Sequence, residues 1–104
     1  MALTKTFRDT VRARAQKDSV FRRELLREAL NALVEGDLDT GKAILRNYIN
    51  ATMGFEQLAS RIHTPSKSLH RMLGPSGNPR AENLFQVIAA LQKSEKLSAK
   101  VVLR

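Results

Sequence analysis

Two short apolar stripes, separated by a break too short for a loop, constrain this chain more than any other feature. Leu58, Ala59 and Ile62 form the first, Leu69, Met72 and Leu73 form the second, and His63, Thr64 and Pro65 stand between them. Both stripes recur at helical spacing, so residues 55–62 and the segment following the break read as two helices joined by a sharp turn. Ser66, Lys67, His70 and Arg71 are left facing outward on the second helix, and each can donate a hydrogen bond to a base edge or a phosphate. That is the arrangement by which a helix-turn-helix sets a reading helix into a DNA major groove.

The turn chemistry supports the pair. With Gly54 as cap, Met53 and Leu58 take the positions of a hydrophobic staple for the first helix. Thr64 is expected to cap the second, with Pro65 in its first turn, where a missing N–H costs nothing. Position 63 needs a backbone turn that glycine makes easily. Histidine stands there instead and tolerates a positive φ better than most residues, at a strain of about 1 kcal/mol.

Elsewhere the periodicity is helical. Phe7, Val11 and Ala15 fall four apart within the basic stretch 4–16, which reads as a weakly amphipathic helix or a frayed arm. Asp18 or Ser19 caps a helix carrying Phe21, Leu25, Ala29, Leu30 and Leu33, and Gly36 offers its left-handed end. Asp37 restarts the chain into a helix marked by Ala43, Ile44, Leu45, Tyr48 and Ile49, running to about Met53. Gly74 to Pro79 is a loop by composition, after which Leu84, Phe85, Ile88, Ala89 and Leu91 are expected to close the core over the helix pair. At the end Leu97, Ala99, Val101 and Leu103 alternate with Ser98, Lys100, Val102 and Arg104. This is the pattern of a half-buried strand with no partner strand in the chain, to be weighed equally against a disordered terminus. The expected fold is all-α: a five- to six-helix bundle containing the helix-turn-helix, with a short C-terminal β-strand or an irregular tail.

The 104 residues suit one domain, and the 18 Lys and Arg against 10 Asp and Glu give a formal charge of +8. Such a balance suits a polyanionic partner, although a solvated basic surface would produce the same total. Its distribution separates the two readings. Residues 55–80 carry Arg61, Lys67, Arg71 and Arg80 against Glu56 alone, whereas residues 37–54 set Lys42 and Arg46 against Asp37 and Asp39. There is no cysteine, which excludes disulfides and thiolate chemistry, and no segment approaches the roughly 20 apolar residues that span a bilayer. A soluble, cytoplasmic protein without a membrane partner is expected.

Enzymatic and cofactor chemistry find no residues to carry them. His63 and His70 lie seven apart with no acidic partner nearby, so neither reads as a metal ligand. Ser66 and Ser68 stand near His70 without a nucleophile elbow or an orienting carboxylate. The loop at 74–79 lacks the lysine ending of a phosphate-binding loop, and the lone Tyr48 is expected in the core with its hydroxyl at the rim. Few aromatic residues are available to stack on single-stranded RNA. No cofactor is implied.

Leu26-Arg27-Glu28-Ala29-Leu30, Glu35-Gly36-Asp37, Gly54-Phe55, Gln57-Leu58-Ala59, Ser68-Leu69-His70-Arg71-Met72-Leu73 and Gly77-Asn78-Pro79 follow one another in an order and spacing that resembles the addiction-module antidote family. These are HigA-type antitoxins with a lambda-repressor-like helix-turn-helix, and the resemblance covers residues 18 to about 92. It implies a DNA-binding dimer that represses its own operon at a double-stranded operator and neutralises a small RelE/ParE-type toxin. The alternatives are a protein-interaction module that mainly blocks the toxin and a stand-alone, phage-type regulator. By the family's pattern Ser66, Lys67, His70 and Arg71 would read bases, Thr64, Pro65 and Ser68 would lie near the DNA backbone, and Arg80 would lie close to phosphate. The chain departs from the pattern at His63, where the turn usually has glycine. It also departs in the basic run Lys5, Arg8, Arg12, Arg14, Lys17, Arg22, Arg23 and Arg27.

Overall fold

Asp18 and Asp37 divide the N-terminal half into three helices, and both do so by the same chemistry. The Asp18 carboxylate accepts from the backbone N–H groups of Val20 and Phe21 at 3.0 and 3.1 Å, and that of Asp37 accepts from Thr40 N–H at 3.2 Å. Each satisfies donors that the first turn of a helix leaves without a partner. The bonds from Thr40 also hold the Asp37 carboxyl below the usual carboxylate range.

The computed structural model describes residues 5–104 as α1 (Lys5–Lys17), α2 (Ser19–Val34), α3 (Leu38–Ala51), α4 (Gly54–Ile62), α5 (Ser66–Met72) and α6 (Ala81–Glu95). The protein is an all-α bundle. The basic stretch at the start is thus a helix and not an arm, although Thr4 lies outside the described residues. Its seating weakens toward the N-terminus: Ala15 is fully buried, Val11 half-buried and Phe7 exposed.

α2 and α3 run against each other, α1 packs on both, and α4 connects α3 to α5 and α6. Leu26, Ala29, Leu45, Ile49, Phe55, Leu58, Leu69, Leu73, Val87 and Leu91 form the centre of the core. Tyr48 is wholly buried rather than reaching the rim, and its hydroxyl donates to Glu95 Oε1 at 2.7 Å. The same carboxylate oxygen accepts from Arg22 Nε at 2.7 Å, while Arg22 also donates to the Ala15 carbonyl at 2.6 Å. One cluster therefore ties together α1, α2, α3 and α6.

Three expectations about the second half change. The alternation at 97–103 forms no strand among the described residues: Leu97 is half-buried, but Ala99, Val101 and Leu103 are exposed. A strand requires a neighbouring strand to satisfy its backbone, and the described residues supply none. After Lys96, at φ 56, the chain turns back as an irregular segment pinned by Ala99 N–H donating to Gln92 Oε1 at 2.6 Å. On α6 the core face is Leu84, Val87, Ile88 and Leu91, spaced i, i+3, i+4, i+7, which turns Phe85 and Ala89 outward. Phe85 is 64% exposed. Finally, α4 begins one residue early, with Met53 at the cap position and Gly54 taking φ 80 to redirect the chain out of α3.

Candidate nucleic-acid interface

His63 makes the turn between α4 and α5 by adopting the left-handed conformation, with φ 55 and ψ 44. Thr64 N–H donates to the Ala59 carbonyl at 3.0 Å, closing the end of α4. Thr64 is not the cap of α5, however, and Pro65 is not within its first turn. Pro65 itself occupies the cap position at φ −59 and ψ 139, and its carbonyl accepts from Ser68 and Leu69 N–H at 3.0 and 3.2 Å. With its ψ extended, Pro65 stands outside the helix, which moves the cap one residue past Thr64. The Thr64 hydroxyl turns instead to the Ile62 carbonyl at 3.3 Å.

α5 is held by its apolar side. Leu69 and Leu73 are fully buried, with Met72 and Ile62 half-buried beside them, although the stripe pattern had placed Ile62 in the core. Successive residues of a helix turn by roughly 100°, which puts Lys67 and Arg71 within about 40° of each other and directly opposite Leu69 and Leu73. Both are exposed. Ser68 flanks them on one side and His70 on the other. The His70 ring stacks on Phe55 of α4, with centroids 4.0 Å apart and planes inclined by 20°. Its edge remains exposed while its face closes the helix pair, whereas Ser66 is half-buried rather than fully outward.

Beyond α5 the loop is clamped from below. Lys42 is 1% exposed, and its ammonium donates to the carbonyls of Gly74, Pro75 and Gly77 at 3.0, 3.5 and 2.6 Å. The exposed Asp39 carboxylate approaches the same ammonium at 3.8 Å. Arg46 donates to the Leu73 carbonyl. Two cations that the sequence balanced against Asp37 and Asp39 as surface charge thus bind backbone carbonyls of Leu73, Gly74, Pro75 and Gly77, in the turn and loop that follow α5. Gly77 completes the clamp, because a Cβ there would overlap the carbonyl oxygens of Arg71 and Met72.

This geometry leaves a cleft of about 400 Å³ between α5, the loop and the start of α6. Thr64, Ser68 and Arg71 line one wall, Ser76 and Asn78 the end, and Arg80, Asn83 and Gln86 the other wall, with no carboxylate among the lining residues. Arg80 is exposed at the cap position of α6. Among the described residues none of Lys67, Arg71 and Arg80 is held in an ion pair. The fold therefore brings together Thr64, Ser68, Arg71 and Arg80 along one cleft, sets Lys67 beside it, and gives His70 partly to packing. Asn83 and Gln86 were missed from sequence. They continue the face of Arg80 at helical spacing, a signal that could have found them. Compared with family models, curated proteins and solved structures, the chain gives no match.

Proposed function

We propose that α4 and α5 form a DNA-reading unit and that the protein is a sequence-specific transcriptional repressor. It acts in the cytoplasm as a dimer, in the role of a toxin–antitoxin antidote that its sequence resemblance implies. The observation that carries this reading is the exposed pair Lys67 and Arg71, set directly opposite the buried Leu69 and Leu73 on a helix that follows a tight left-handed turn. Two cations with no ion pair among the described residues, on the outermost line of a short helix beside a cleft lined by hydroxyls, amides and a further arginine, match the donor-rich edge that a major groove receives. A seven-residue helix is about 10 Å long and reads only a few base pairs. A dimer is the remedy, since two half-sites about 34 Å apart multiply both affinity and selectivity.

Selection from a random duplex library provides the test. The protein is expected to enrich a pseudo-palindromic site, and Lys67→Ala should weaken binding to that site by about 1–3 kcal/mol while costing less on random DNA. Equal losses on both duplexes would reduce Lys67 to a phosphate contact, and failure to enrich any duplex would remove the reading itself.

A further inference from the structure

α6 presents a second surface on the side away from Asn83 and Gln86. Between α2, α6 and the tail runs a groove of about 640 Å³. Its floor is recessed and apolar, with Leu26 and Ile88 2% and 5% exposed, while Val34, Phe85 and Val101 stand on its rims at 65%, 64% and 68%. Apolar side chains gathered around a concave surface, and not scattered singly, mark a place where another molecule binds.

The charge on the rim selects the occupant. Arg23, Arg27 and Lys100 line the groove and no carboxylate does. Arg27 is shared with Glu24 at 2.7 Å, whereas Arg23 and Lys100 have no ion pair among the described residues. The geometry points to a docking site for an acidic segment of another protein, one that carries large apolar anchor residues between its carboxylates. The anchors fill the recessed floor and the carboxylates meet the rim.

A second copy of this chain fits poorly. A two-fold contact through the groove would bring Arg23, Arg27 and Lys100 against their own counterparts in a protein of net charge +8. Duplex DNA offers no apolar anchors, and a bilayer surface is too flat to reach a recessed floor. The tail adds a further feature suited to a peptide. Among the described residues, no backbone N–H or C=O of residues 100–103 takes part in a hydrogen bond, so an extended segment can pair alongside them. Because Phe85 and Ile88 lie on a different side of α6 from Asn83 and Gln86, the site does not depend on the DNA reading, and both surfaces can be filled at once.

The experiment is selection of phage-displayed random 12-residue peptides on the full chain, with the double variant Val34→Asp, Phe85→Asp as the counter-target. Both substituted side chains are exposed, and circular dichroism checks that the helices persist. Enriched peptides should carry Asp or Glu around two or more large apolar residues, and the double variant should not retain them. Arg23→Glu with Lys100→Glu should weaken the best synthetic peptide by about tenfold or more, and so should deletion of residues 98–104. The proposal is overturned if no peptide is enriched, if the enriched peptides are basic or bind the double variant equally well, or if charge reversal leaves their affinity unchanged. It is also overturned if the double substitution instead abolishes self-association in sedimentation or binding to phosphatidylglycerol vesicles.

Discussion

Glu95→Ala is expected to destabilise the fold by about 3–5 kcal/mol, toward the lower end because Arg22 keeps some access to water. Glu95 is 7% exposed at its side chain and Arg22 23%, so removing the carboxylate strands a guanidinium in a half-buried site. The buried Tyr48 hydroxyl loses its acceptor in the same step. For a domain of this size a loss of ~3 kcal/mol lowers the unfolding midpoint by roughly 15 °C. Glu95→Gln should cost less, since an amide oxygen can still accept from Tyr48. Thermal melts of the two variants measure the difference, and equal small losses would show that the cluster does not tie α1, α2, α3 and α6 together. The pH dependence follows from the same geometry. Burial pushes the Tyr48 hydroxyl up, and the Glu95 bond and charge add to it. The folded state therefore retains a proton that the unfolded chain gives up above about pH 10, so this contribution is complete below that pH and declines as pH rises further.

Leu69→Ala is expected to cost about 2–5 kcal/mol, because the side chain is fully buried and its neighbours Leu58 and Leu73 can close only part of the space left behind. DNA binding should be lost along with the fold, since Leu69 and Leu73 are what seat α5 with Lys67 and Arg71 outward. Chemical denaturation checks this directly. An unchanged midpoint would mean that α5 sits in a different register, with other residues facing out.

Local rules made much of this legible from sequence. Asp18, Gly36 and His63 act through neighbours within a few residues, and each does what its chemistry dictates: a carboxylate at a helix start, positive φ at Gly36, a left-handed turn at His63. What remained hidden depends on residues far apart in the chain. Lys42 reaches carbonyls more than thirty positions away, and Tyr48 finds Glu95 47 positions away, so neither could be distinguished from ordinary surface charge or an ordinary core tyrosine. Phe85 was misplaced because two apolar sets overlap on α6, one through Val87 and Leu91 and the other through Phe85 and Ala89. Only the tertiary contact with α4 decides between them. The tail's alternation left a strand and an irregular end equally open, since period two describes a strand only where a second strand is available.

Amide chemical shifts recorded while the enriched duplex is titrated into the labelled protein test the DNA-reading unit most directly. Large changes are expected in Thr64 to Arg71 and in Arg80 to Gln86, with the α2 and tail residues of the opposite groove nearly unmoved. Changes centred on α1 or α2, with α5 unaffected, would contradict the assignment of α5 as the reading helix.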